Sequence, residues 1–262
     1  AKTLSLILFL PLVLIYSRLI DHFSKEKMIY LLIAIYSALG LLFVYLMKHP
    51  TFGLANTLQS PTRFLGWGFY LYVESYISLM VSLYWAFIND VTTPESAKKG
   101  YGLVIFGAQF GGTIFILLGN YLSADASKYQ ETIPLIALIS IFFFLAVALV
   151  VFTLTHFVSK TELEGYQESH HKADDKPQVG FFEGLRLLLR CKYVGGIFGL
   201  VFFHEVISAI MYYQMYVLVE KTFCKDPGLM NKYLFSFSLM VQAVACIFGL
   251  LGTSFFQRRF GI

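Results

Sequence analysis

The chain has 262 residues, 57% of them hydrophobic and only 14% charged, with a mean hydropathy of +0.68. A soluble domain carries about 25% charged residues, so this composition excludes one and defines an all-α polytopic membrane protein. The net charge of +4 is no nucleic-acid signal, because the basic residues gather at the ends of apolar runs, and the odd set Cys191, Cys224 and Cys246 implies no disulfide framework.

Seven apolar segments are long enough to span a bilayer, which takes roughly 20 residues each. They run near 3–20, 28–47, 64–89, 100–122, 132–157, 193–220 and 233–257. Lys2 precedes the first without a small-residue cleavage site, so it does not read as a signal peptide. Pro11 should kink that span, and in a bundle neighbouring helices can satisfy the freed carbonyl. Trp67, Tyr70 and Tyr72 in the third span are expected in an interfacial aromatic belt.

The third span also holds Glu74, an acid inside an apolar helix. An ionised carboxylate is costly in hydrocarbon, so such a residue is by default a functional candidate. On helical spacing Glu74, Ser78, Ser82, Trp85 and Asn89 share one broad stripe. That stripe should face a water-filled cavity or another helix rather than lipid. A short polar turn with Lys98 and Lys99 follows, then a fourth span rich in glycine, whose Gly107 and Gly111 form a small-xxx-small face suited to close packing.

After the fifth span, residues 159–177 read as a polar linker. His170, His171, Asp174 and Asp175 lie there, but the stretch reads as a solvated tether with no metal site. Residues 180–193 set Phe181, Leu185, Leu188 and Leu189 opposite Arg186 and Arg190, the pattern of an interfacial amphipathic helix. In the sixth span His204, Ser208, Tyr212 and Tyr216 recur every fourth residue, with Glu205 beside them. Thirteen basic residues fall in the turns after spans one, three, five and seven, against seven in the alternate set. The positive-inside rule therefore places the first set, linker included, in the cytoplasm.

A family resemblance begins at Trp85. The run WAFINDVTTPESAKKGY from Trp85 to Tyr101, followed by FGAQ from Phe106 to Gln109, resembles the bacterial and plastid ATP/ADP translocases. Trp85, Phe87, Asn89, Thr92, Thr93, Glu95, Ala97, Lys98, Lys99, Tyr101, Gly107 and Ala108 fit that pattern without a gap. Two further stretches, Ser17–Lys27 and Ser254–Gly261, resemble the short turn after the second helix of each half of a major facilitator transporter. Transporters are commonly built from such repeats. In this register the seven spans are helices two to eight of a twelve-helix protein, and the chain is a fragment without the first and last helices. Residues 1–158 then belong to the N-terminal half, 159–192 form the cytoplasmic linker with its amphipathic helix, and 193–262 open the C-terminal half.

The resemblance implies a secondary transporter of nucleotides working by alternating access, by ATP/ADP-type exchange or proton-coupled uptake, in a bacterial inner membrane. Its partners would be nucleotides, protons or a counter-substrate, and lipid; no cofactor and no nucleic acid are implied. Spans three and six become cavity-lining helices, which makes Glu74, Ser78, Ser82, Asn89, His204, Glu205, Ser208 and Tyr212 the candidate substrate or coupling residues. The pattern departs from the translocases in helix four, where the family acid aligns one residue away at Val73. It departs again in helix seven, where the family acid and lysine fall at Tyr212 and Tyr216. No Lys or Arg lies deep in a span. The alternatives are a proton-coupled carrier for another solute and a non-transporting membrane protein. An enzyme is not expected, because there is no phosphate loop, no Ser-His-Asp set and no clustered metal ligands.

Overall fold

The computed structural model describes residues 11–20, 23–56, 63–92, 94–157, 186–188, 190–224 and 226–247, with the backbone alone for residues 90, 94–103 and 105. Among these residues there are α-helices and no strand. They are α1 (Pro11–Ile20), α2 (Lys25–Lys48), α3 (Phe64–Val91), α4 (Pro94–Leu122), α5 (Tyr129–Phe157), α6 (Lys192–Thr222) and α7 (Pro227–Ile247), with a 3-10 turn at Ala126–Lys128. The polar linker, most of the amphipathic segment, the turn at 254–261 and the residues before Pro11 lie outside the described residues.

Each expected span contains one of these helices. Four qualify as spans by length and apolarity among the described residues: Lys25–Lys48, Phe64–Asn89, Ala126–Phe157 and Lys192–Thr222. α1 is an apolar helix described from Pro11 onward. The all-helical polytopic class stands, and the first, fourth and seventh expected spans include residues outside the fully described ones. The turn after α3 is also shorter than expected. Pro94 opens α4, as its fixed φ and missing N–H suit a first helical position, so Lys98, Lys99 and Tyr101 belong to the first turns of α4.

The chain divides into two compact units, one of Ala1–Thr93 with Ala137–Ser208 and one of Pro94–Ile136 with Ala209–Ile262. The first is organised by α2 packed along α3. Met28, Ile29, Leu32, Ile33 and Tyr36 of α2 close on Leu79, Met80, Leu83 and Phe87 of α3, and Val151 of α5 joins them. Higher in the same contact the Tyr72 hydroxyl donates to the Tyr36 carbonyl at 3.0 Å. Tyr36 meets Tyr76 edge-on at 5.4 Å, and Tyr76 stacks on Phe144 of α5 at 4.4 Å. Tyr72, expected in an interfacial belt, is instead turned into this cluster. At one end of the unit, Lys25 donates to the Ala86 carbonyl at 3.4 Å, and Glu26 accepts from Thr155 at 3.0 Å, tying α2 to α3 and α5.

In the second unit α4 packs along α7. Asp125 accepts from the Ser127 amide at 3.1 Å and its hydroxyl at 2.6 Å, and these bonds hold its carboxyl below the usual carboxylate range. Asp226 caps α7 through the amides of Gly228 and Leu229 at 2.8 and 3.1 Å. Along α6 only Val219 is buried.

Gly40 of α2 sits where three helices meet. A Cβ there would stand 2.8 Å from the Tyr72 hydroxyl and 3.0 Å from Ile141 of α5. Gly66 of α3 has nothing within 4 Å. Gly40→Val is therefore expected to destabilise the protein by about 1–3 kcal/mol through overpacking, and Gly66→Ala to leave it unchanged or slightly raised. Thermal unfolding in detergent reads both, and equal melting of Gly40→Val and the parent would contradict the packing described.

Candidate functional site

α3 has two chemically distinct sides. The side bearing Leu65, Tyr72, Tyr76, Leu79, Leu83 and Phe87 is spent on the core of the first unit. A helix repeats every 3.6 residues, so Glu74, Ser78, Trp85 and Asn89 come round on the opposite side, with Ser82 toward its flank. The structure keeps this stripe together and turns it away from the core. Ser78, Ser82 and Asn89 are exposed, Trp85 is 37% exposed, and Glu74 is half-buried.

The members differ in how their polar atoms are satisfied. Ser82 lies within hydrogen-bond distance of its own helix, 2.8 Å from the Ser78 carbonyl and 3.0 Å from that of Leu79. Tyr16 of α1 reaches Ser82 as well, so α1 borders the stripe. Trp85 meets Tyr84 edge-on at 6.3 Å. Glu74 alone carries a charge in the stripe, and it makes no hydrogen bond or ion pair to any described residue. A carboxylate left this way in an apolar helix requires water, a proton or a ligand cation as its partner.

The remaining expected residues are dispersed. Thr92 donates its hydroxyl to the Ile88 carbonyl at 2.7 Å and its amide to the same oxygen at 3.1 Å, closing the end of α3. Thr93 is outside the described residues, as are the side chains of Lys98, Lys99 and Tyr101. Gly107 and Gly111, expected to form a close-packing face, have nothing within 4 Å of an added Cβ among the described residues. The close approach on α4 occurs at Gly119, against the ring of Phe235. His204, Glu205 and Tyr212 are exposed on α6 and Ser208 is half-buried, with no described contact joining any of them to Glu74.

Two features of the structure had no sequence signal. In the first unit a crevice of about 340 Å³ is lined by Leu12, Leu39, Phe43, Gly68, Leu71, Tyr72 and Ser75. A second, of about 270 Å³, lies among Gly40, Phe69, Tyr72, Val73, Tyr76, Ile77, Ala137, Ser140 and Phe144. Glu74 lines neither. The described residues hold no group of three or more His, Cys, Asp or Glu able to bind a metal.

Fold and site together define a multi-pass helical membrane protein with one polar, acid-bearing face set against an otherwise apolar helix. The chain belongs to the TLC ATP/ADP transporter family, whose model it matches over residues 5–261. It is 26% identical over 215 residues to ADP,ATP carrier protein 5 of Rickettsia bellii, covering 70% of this chain and 42% of that protein. It is 31% identical over 139 residues to ADP,ATP carrier protein 1 of Chlamydia muridarum (46% of this chain, 25% of the relative). Against the plastidic ATP/ADP-transporter of Solanum tuberosum, identity is 36% over 115 residues (36% and 18%). The matched stretch thus spans less than half the length of these relatives. No solved structure matches the chain.

Because Glu74 has no partner among the described residues, neutralising it should not weaken the fold. Glu74→Gln is expected to unfold within about 0.5 kcal/mol of the parent. Tyr72→Phe, which loses the bond to the Tyr36 carbonyl, should lose about 0.5–1.5 kcal/mol. Chemical or thermal denaturation of the two purified variants distinguishes them, and a large loss with Glu74→Gln would make that residue a structural tie.

Proposed function

We propose that the complete protein is a secondary transporter of nucleotides, carrying ATP and ADP by exchange or proton-coupled uptake through alternating access. The observation that carries this reading is the family match, supported by relatives that are themselves named ADP,ATP carriers. The polar side of α3 supplies the chemistry. Glu74 lines the translocation path, takes up a proton or meets a cation there, and exchanges it as the path opens to either side of the membrane. Ser78, Ser82 and Asn89 provide neutral hydrogen-bonding groups along the same wall, at a rise of about 1.5 Å per residue. His204, Glu205, Ser208 and Tyr212 of α6 contribute further polar groups for substrate or coupling in the complete transporter.

A nucleoside triphosphate needs positive charge as well. No Lys or Arg lies deep in a span of this chain. The charges that meet the phosphates therefore belong to parts of the complete transporter that this stretch does not cover. The halves follow the linker, with residues 1–158 before it, 159–192 within it and 193–262 after it. The excess of basic residues in one set of turns supports a cytoplasmic linker, and the bacterial relatives support an inner-membrane location for the helices.

Uptake of labelled ATP and ADP by intact bacterial cells expressing the complete protein tests the proposal. Both nucleotides should accumulate and compete with each other. Glu74→Gln should reach the membrane in normal amounts and lose most of the accumulation. If no nucleotide is taken up or competes, the substrate class is wrong, and a proton-coupled carrier of another solute takes its place.

A further inference from the structure

Where α4 meets α7, two side-chain amides hold each other in one orientation. The Gln242 amide nitrogen donates to the Gln109 backbone carbonyl at 2.9 Å and also to the Gln109 side-chain oxygen. A backbone carbonyl only accepts, so it fixes which end of the Gln242 amide faces α4. The second bond then fixes Gln109 in turn. Gln109 Nε2, a donor, and Gln242 Oε1, an acceptor, are left with no partner among the described residues. Both residues are half-buried. Beside them on α4, the rings of Phe106 and Phe110 stack at 6.2 Å and 18° and are 48% and 58% exposed. At 3.6 residues per turn, both rings project to the same side of Gln109, at the edge of the contact.

We propose that Gln109 and Gln242 read the base of the transported nucleotide and select adenine, with Phe106 and Phe110 as its stacking platform. The inference rests on the nucleotide-transport reading above and names the groups that choose the base. Adenine presents the N6 amino donor beside the N7 acceptor, whereas guanine presents two acceptors, O6 and N7. Gln242 Oε1 accepts from N6, and Gln109 Nε2 donates to N7. Against guanine the same Gln242 oxygen meets O6, acceptor against acceptor. Aromatic rings stack with any base, so the two phenylalanines supply affinity and the amides supply choice. Depth and topology agree with this role. Gln109 and Gln242 each lie nine residues inside their expected spans, 100–122 and 233–257. The two helices stand on opposite sides of residues 159–192 in the chain, and transporter substrate sites lie near the midplane between repeated halves. Movement of the halves changes the span between the amides, so both hold the base only at the stage that brings α4 and α7 together.

The test measures uptake of labelled ATP by the complete protein in competition with unlabelled ATP and GTP. The rise in unfolding temperature that each nucleotide gives the purified protein is read alongside, so a variant that binds without transporting still reports. In the parent, ATP should compete at least about fivefold better than GTP, the low end of what a bidentate base contact discriminates. Gln242→Leu and Gln109→Leu should each bring the two nucleotides within about twofold of one another. Gln109→Leu keeps the bond from Gln242 to the backbone carbonyl, so it should fold like the parent. Phe110→Ala should weaken ATP and GTP alike, by about fivefold or more. Ser236→Ala removes a different bond of the same helix contact, the one to Asn120, and should leave the preference at the parent value. An unchanged preference in both glutamine variants, loss of ATP and GTP alike in both, or an equal loss of preference in Ser236→Ala overturns the inference. A parent that takes ATP and GTP equally overturns it as well, while nucleotide transport stands. If neither nucleotide is taken up or competes, the proposed function falls and this inference falls with it.

Discussion

Hydrocarbon offers no hydrogen bonds, so each polar group in a membrane helix must find its partner inside the protein or in enclosed water. That constraint sorts the side chains of this molecule. Thr113, Thr153 and Thr222 return their hydroxyls to carbonyls of their own helices at 2.8 Å. Tyr72 reaches across to α2, and the amides of α4 and α7 satisfy each other. Among the described residues Ser37 is left as a buried hydroxyl without a partner, a local cost of about 1–3 kcal/mol. Glu74, like His204 and Glu205 of α6, is placed mid-helix with no partner among the described residues, and the polar stripe that continues from it is why the functional reading converges on it.

The two sides of α3 depend on each other. Aromatic and aliphatic residues on one side lock against α2, with Gly40 admitting the Tyr72 hydroxyl to the Tyr36 carbonyl. That packing sets the rotation of the helix, and the rotation points Glu74, Ser78, Trp85 and Asn89 away from the core. The hydrogen bond and ring contacts of Tyr72 thus act on the site at a distance, by orientation alone. Both crevices lie on the core-facing side and to its flank, so neither competes with the polar stripe for the carboxylate.

The long apolar runs and the polar stripe were legible in the sequence because each contrasts with its surroundings. A Glu and two Ser at helical spacing among Leu, Ile and Tyr carry a period that survives into the structure. Much of the rest carries no such contrast. Tyr36, Tyr72 and Tyr76 sit in segments apolar on every side, so periodicity does not say which ring turns inward. Gly107, Gly111 and Gly119 look alike in sequence, and only the approach of Phe235 from 116 residues further along the chain singles out Gly119. The polar residues of α4 and α7 read separately as blemishes in two spans. They become a seam only when the long-range pairing is known. The boundary at Pro94 was open to local reasoning, since proline favours a first helical turn, yet the two lysines made the segment look like a loop.

The central claim is that the Glu74 side of α3 faces a water-filled, nucleotide-binding path and not lipid. It is tested most directly by thiol labelling of Ser78→Cys in the complete protein with its native cysteines replaced, using a membrane-impermeant maleimide. Phe142→Cys, on an exposed face of α5, serves as the lipid-facing reference. The account predicts that Ser78→Cys reacts while Phe142→Cys does not, and that saturating ATP or ADP slows the reaction at position 78. Equal inertness of the two positions, or labelling of Ser78→Cys at the same rate with and without nucleotide, would contradict it.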